Sequence, residues 1–401
     1  MTSIPGEPQQ LAKTTHPLPT DVPAIAGIAE WLGGDASHDL DAVGFVAGLG
    51  DHLRNAGFPL DRMVLHQRTL HAEIRGRTMV WTPDAEVQVH DREHGVELTA
   101  AFTESPLPRM IEMRKPVVVR LDERNAPAWN HIDVLNDTSL VEFFFVPLFN
   151  AHGPVATAFF CTRQPEGFAP MQRAGLERIA PALRNACELR ALRTIVLSML
   201  DTYVGPGSAQ RILAGHVRRG EVESLDVALM LCDLRGFTQM SNRLPSERVI
   251  ELLNDYFDCV VPAIAESGGE VLKFIGDAVL AFFHDDDAAT ACAAALAGAL
   301  RAFERLDQFS APDAELHAGI ALHYGKVSYG NIGSGHRLDF TLIGSDVNLV
   351  SRIQTVCGST GNRLLMSERF ADLLGASRAT TIGNHNLKGF ADPVPLYTLI
   401  E

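Results

Sequence analysis

No apolar run in the 401-residue chain approaches the roughly 18 residues needed to cross a bilayer. The Ala-rich stretch 288–300 comes nearest, and Asp285, Asp286, Asp287 and Arg301 bracket it too tightly. A charged segment followed by an apolar core is missing at the N-terminus, so no secretory signal is expected. Cysteine is sparse: residues 161, 187, 232, 259, 292 and 357 stand singly, with no Cys-x-x-Cys. That spacing excludes a zinc ribbon and a disulfide framework and suits a reducing compartment, so a cytoplasmic location is expected. Positive charge is also short, with 34 Lys and Arg against 49 Asp and Glu, a net charge of −15. A general nucleic-acid binder needs a cationic face and is excluded. Nucleotide chemistry is not, because bound divalent metals bring their own positive charge.

What is present is the composition of a folded chain, 46% hydrophobic and 21% charged, with the length of two domains. Residues 1–21 hold several prolines and little periodicity and read as a disordered tail. Asp41 to Gly57 has helical spacing, with Val43, Phe45, Val46, Leu49 and Leu53 on one side. Strand-like runs follow at 62–70, 117–121 and 140–149, the last turning through 150–153 into 154–162 as a hairpin. Phe143, Phe144 and Phe145 alternate too little for a half-exposed strand and read as buried core. A helix from about Pro170 closes this part. An antiparallel sheet with helices at both ends over residues 22–185 resembles a GAF-type sensor domain, which implies an unknown small-molecule or ion effector.

The helix pattern continues past that domain. Leu189, Leu192, Val196, Met199 and Tyr203 recur at steps of three and four until Gly205-Pro206-Gly207 breaks them, so residues 186–222 read as a helical linker with a dimer seam. From 223 to 401 strands and helices alternate. A buried strand at 227–232 is followed by a helix at 245–266, a hairpin at 270–275 and 279–283, and an Ala-rich helix. Strands at 316–323 and 326–330, joined through Tyr324-Gly325, and a helix at 345–356 complete the set. The order β-α-β-β-α-β is ferredoxin-like, so the fold class is α+β throughout.

Two carboxylates carry the chemistry. Asp233 ends the strand in Cys-Asp-Leu-Arg-Gly-Phe-Thr (232–238), and Asp277 sits in the turn of Lys-Phe-Ile-Gly-Asp-Ala (273–278). A carboxylate at such a strand end is costly to bury, and a pair beside a glycine turn suits divalent metals holding a polyphosphate. Gly236, Phe237 and Thr238 open the next helix, where free N–H groups favour phosphate. Asn348 and Arg352 lie four apart and share a helix face. By contrast, Asp285-Asp286-Asp287 reads as a solvated loop. Gly33-Gly34-Asp35-Ala36 lies outside any hairpin that a diguanylate cyclase would need.

The segments CDLRGFTQMS, GGEVLKFIGDAVLAFF, HAGIALHYGKVSYGNIGS and DFTLIGSDVNLVSRI, in this order, resemble the catalytic domain of class III nucleotidyl cyclases. The resemblance implies conversion of ATP to cyclic AMP, or GTP to cyclic GMP, at the interface of a homodimer with two divalent metal ions, Mg²⁺ or Mn²⁺. It implies that Asp233, Asp277 and the carbonyl of Leu234 bind metal. Asn348 would orient the ribose and Arg352 would stabilise the α-phosphate. Lys388 would meet the triphosphate, and Lys273 and Thr341 would read the base. Lysine only donates, which suits adenine N1, whereas guanine presents an N–H there; ATP is therefore the expected substrate. Threonine at 341 matches a branch in which some members respond to bicarbonate. Two positions depart from the family pattern: His317 stands where an arginine is common, and Phe390 replaces a second lysine after Lys388. A high KM for ATP is expected from these. A guanylate cyclase and a silent nucleotide-binding regulator are the alternatives.

Overall fold

The computed structural model describes residues 23–70, 74–121, 132–137, 139–151, 153–311, 314–375 and 377–400; the tail read at 1–21 lies outside them. The chain divides into two compact units, Met1–Met199 and Leu200–Glu401.

The first unit opens with helices α1 (Pro23–Gly33), α2 (Asp35–His38) and α3 (Ala42–Asn55). Asp41 caps α3 by accepting a 2.7 Å hydrogen bond from the Gly44 N–H. The expected apolar side of α3 is buried except for Val43. Strands β1 (Arg62–Arg68), β2 (Ile74–Trp81) and β3 (Gln88–Glu93) follow, then short helices α4 (Ala100–Thr103) and α5 (Leu107–Met113). Strands β4 (Val117–Arg120), β5 (Glu142–Asn150) and β6 (Gly153–Thr162) and the long helix α6 (Pro170–Val204) complete it. The sheet is antiparallel throughout, in the order β3-β2-β1-β6-β5-β4. Both its faces are covered, which explains the three phenylalanines. Phe144 joins the core beneath α1, α3 and α6, and Phe143 and Phe145 join the core on the opposite face. The buried Glu142 carboxylate accepts from Arg173 at 2.7 Å and from the Phe168 N–H at 3.1 Å, tying β5 to α6. Beyond Cys187 the seam residues Leu189, Leu192, Val196, Met199 and Tyr203 are all exposed, and α6 ends at Gly205, whose φ is 84°.

The second unit begins with α7 (Pro206–Leu213) and β7 (Val222–Leu234), followed by α8 (Phe237–Arg243) and α9 (Ser246–Glu266). Next come β8 (Glu270–Ile275), β9 (Ala278–Phe283), α10 (Ala288–Gln308), β10 (Ala318–Gly333) and β11 (Leu338–Ile343). The unit closes with α11 (Ser345–Thr360), β12 (Leu364–Ser367), α12 (Glu368–Leu374), β13 (Ala379–His385) and β14 (Val394–Leu399). The sheet runs β13-β14-β12-β10-β7-β9-β8, with β11 paired to β10. Its β10-β7-β9-β8 portion, with α9 and α10, is the expected ferredoxin-like arrangement. Along β7, Ala228, Met230, Cys232 and Leu234 enter one core with α9 and α10, while Val227, Leu229 and Leu231 enter another with α11. Period-two alternation therefore puts Asp233 on the α11 side.

One expectation is corrected. Residues 316–330 do not form two strands joined at Tyr324-Gly325, because β10 runs unbroken from Ala318 to Gly333. A glycine is needed at 325 for space: a Cβ there would collide with the Asp346 carboxylate. The acidic triplet is local structure, as expected: Asp287 caps α10 through the Thr290 N–H, and Asp285 accepts from the Asp287 N–H.

Candidate active site

Asp233 and Asp277 meet because β7 and β9 pair in the register Asp233↔Ala278, next to the two-residue turn Gly276-Asp277. Gly276 takes φ 65° there, a conformation that a hairpin turn of this length favours and that side chains resist. Burial pushes the Asp233 pKa up, and the neighbouring Asp277 charge pushes it further. Two carboxylates that repel each other in a half-buried corner could hold a divalent cation, and their hard oxygens fit Mg²⁺ or Mn²⁺. Among the described residues no group of three or more His, Cys, Asp and Glu side chains is arranged to hold a metal ion. Further donors would have to be the Leu234 carbonyl, at the end of β7, and phosphate oxygens of a substrate.

Two residues that the sequence did not single out act on Asp233. Gln354, buried on α11, donates to the Gly319 carbonyl at 3.0 Å, and its side chain works against the upward shift of the Asp233 pKa. Arg235 partly offsets the Asp233 shift. Its guanidinium donates to the Asn362 carbonyl and to the Cys357 sulfur, each at 3.0 Å. A Cβ on Gly319 would strike that guanidinium, so the glycine provides its channel.

Immediately after Asp233, Gly236 at φ 75° turns the chain into α8 with no side-chain cap on its first turn. Thr238 is exposed and Phe237 half-buried at this start. Lys273, on β8, forms an ion pair with Asp339 of β11. Asp339 lies two residues from Thr341 on the same side of the strand, so the structure brings Lys273 and Thr341 to one locality. Exposed Asn348 and half-buried Arg352 lie one turn apart on α11. The first turn of α11 is held by Asp346, which accepts from the Lys326 N–H at 2.8 Å and contacts the His323 ring at 3.1 Å. The bond to His323 lowers the Asp346 pKa, and the other His323 ring nitrogen meets Ser367 at 2.7 Å. Lys388 is exposed between β13 and β14.

Among the described residues no hydrogen bond or ion pair within one chain joins the carboxylates to Lys273, Asn348, Arg352 or Lys388. The two departures from the family pattern have local explanations. His317 lies 3.2 Å from Glu315 at the surface, while its carbonyl accepts from the Arg235 N–H at 2.8 Å. Phe390 packs against the core on the α11 face, an apolar role that a lysine could not fill.

Residues 221–401 match the family model described as the adenylate and guanylate cyclase catalytic domain. An adenylate cyclase of Anabaena cylindrica is 34% identical over 162 residues, 38% of this chain and 32% of the relative. A terminal-differentiation-specific adenylate cyclase of Dictyostelium discoideum is 28% identical over 215 residues, 51% of this chain and 10% of the relative. The chain thus spans a third or less of the length of these two curated relatives. Among solved structures, the guanylyl cyclase Cya2 is 32% identical, covering 44% of this chain and 93% of that one with a TM-score of 0.39.

Proposed function

We propose that this chain, whose residues 221–401 are an adenylate and guanylate cyclase catalytic domain, converts ATP to 3′,5′-cyclic AMP and pyrophosphate at sites shared by two copies. The observation that carries this reading is the Asp233–Asp277 pair, with Asp233 pushed up by burial and by its neighbour's charge. Two divalent cations bound there with the polyphosphate would favour ionisation of the ribose 3′-hydroxyl and offset charge on departing pyrophosphate. Arg235 and Gln354, next to Asp233, partly offset that upward shift. The uncapped N–H groups at Gly236, Phe237 and Thr238 meet phosphate oxygens. Asn348 orients the ribose so that its 3′-oxygen lines up with the α-phosphorus. Arg352 donates to the α-phosphate oxygens as negative charge grows on them, and Lys388 reaches the triphosphate tail. Lys273 donates to adenine N1, and Thr341 takes the 6-amino edge.

The resemblance to class III cyclases implies a homodimer with two sites, in which the metal carboxylates come from one protomer and Lys273, Thr341, Asn348 and Arg352 from its partner. Phe274, Ile275, Leu338 and Ile343, all exposed beside Lys273 and Thr341, supply an apolar rim for it to cover. In the same reading residues 22–185 are a GAF-like sensor and dimerisation domain. Residues 186–222 carry its signal along the exposed seam of α6 to a catalytic domain at 223–401. The location is cytoplasmic, and bicarbonate sensitivity accompanies Thr341; a bicarbonate titration at constant pH that leaves the rate unchanged removes that last element.

Assay of the purified chain with ATP and GTP, under Mg²⁺ and Mn²⁺, tests the substrate. Cyclic AMP as the dominant product is expected. Predominant cyclic GMP would favour the guanylate reading, and bound ATP with no pyrophosphate release the silent regulator.

The Lys273–Asp339 pair adds a finer expectation. It is partly exposed, 26% and 62% by side chain, so its strength is at most about 1 kcal/mol. Asp339→Asn frees the lysine for the base and should lower the KM for ATP by up to about fivefold with kcat unchanged. Steady-state kinetics read this, and an unchanged or higher KM would mean that Asp339 helps to aim Lys273.

A further inference from the structure

The N-terminal unit contains a cavity of about 420 Å³, in the size range of small-molecule sites. It lies on the sheet face opposite α1, α3 and α6. At the β4–β5 end that face is filled by Met110, Phe143 and Phe145. Toward β1, β2 and β3 the filling stops, and the wall changes character. Val64, Phe102, Ile111, Leu135 and Phe159 supply an apolar side. His66, Arg68, Arg75, Thr78 and Arg92 supply a polar side. Gly76 leaves room for the His66 ring, since a Cβ there would come within 2.9 Å of it.

The charges do not cancel. Arg75 is 3.6 Å from Glu97, and Arg92 is 4.0 Å from Asp133, which is 83% exposed and therefore a weak partner. Arg68 has no ion pair among the described residues; burial and then Arg75 lower its guanidinium pKa, while Glu97 partly counters them. His66 adds no charge at neutral pH: burial, helped by Arg92, Arg68 and Arg75, lowers its pKa to about 4, and its Nδ1 is engaged by Thr78 at 2.9 Å. Among the described lining residues, three guanidiniums against two carboxylates leave one positive charge in excess next to an apolar wall. That surplus selects a monoanion over a dianion, and the wall selects an apolar body over an inorganic ion.

We propose that this cavity binds a small monocarboxylate with an apolar or aromatic body, its carboxylate on Arg68 and its body against Val64 and Phe159. The inference stands on the N-terminal unit alone and does not depend on the activity of the other unit.

Titration calorimetry of the full chain at pH 7.5 with octanoate, 4-phenylbutyrate and indole-3-acetate tests it, with 4-phenylbutyramide as an uncharged comparator. Saturable binding of at least one acid at one per chain is expected, with the amide at least about tenfold weaker than 4-phenylbutyrate. Arg68→Gln should weaken the acid by about tenfold or more, and Arg68→Lys should retain most of the affinity, both with melting temperatures near that of the unaltered chain. Binding of none of the three acids would overturn the proposal. So would equal binding of acid and amide, which needs no variant and shows an apolar cavity only, or unchanged affinity in a folded Arg68→Gln chain.

Discussion

Asp277→Ala is expected to reduce cyclic nucleotide formation by on the order of 10³-fold while leaving the metal-free fold intact. The activity side follows from the several kcal/mol that cation-assisted charge stabilisation contributes to phosphoryl chemistry, at about 1.4 kcal/mol per tenfold in rate. The stability side follows from the repulsion in the pair. Asp233 is pushed up by burial and by Asp277, so its charged form is disfavoured in the folded state. A carboxyl raised on folding holds its proton more tightly in the folded chain than in the unfolded one. Its contribution is therefore favourable below the ordinary aspartate range near 4 and is lost as pH rises through the raised value. Removing Asp277 takes away part of that penalty. Thermal melts in chelator should show an unchanged or higher midpoint at neutral pH and a smaller loss as pH rises above the ordinary aspartate range than in the unaltered chain. A large drop in melting temperature would make Asp277 a structural turn residue instead.

Arg352→Ala should cost about 10²-fold in kcat, with little change in KM. A guanidinium aimed at charge that develops only in the transition state is worth about 3 kcal/mol there and little in the ground state. Lysine at the same position keeps the charge but not the planar fork, so Arg352→Lys should recover only part of the loss. A rise in KM with kcat preserved would assign Arg352 to ground-state nucleotide binding.

Much of the catalytic unit was legible because its signals are local. Asp233 and Asp277 stand out as carboxylates at the ends of apolar runs, and Gly276-Asp277 marks a two-residue turn that β8 and β9 confirm. The β10 break was misread because a glycine after a tyrosine looks like a turn, whereas Gly325 instead makes room for Asp346, 21 positions further on. Gln354 and Asp339 carry no local mark at all: each acquires its role from a partner that only the fold brings near, Gly319 for Gln354 and Lys273 for Asp339. β2 escaped for a related reason. Its polar residues Arg75 and Thr78 line the cavity instead of facing solvent, so the strand shows little hydrophobic alternation. Phe390 read as a missing lysine, and the structure gives it a packing role.

The central claim is that two copies of this chain each supply part of one ATP-cyclising site, and a mixed dimer tests it most directly. Asp233→Ala and Arg352→Ala chains, each inactive alone, would be co-expressed with different affinity tags and purified through both. Within such heterodimers one of the two sites should carry neither substitution. The account predicts that cyclic AMP formation returns, to at most about half the rate of the unaltered dimer. Verified heterodimers as inactive as either parent would contradict it.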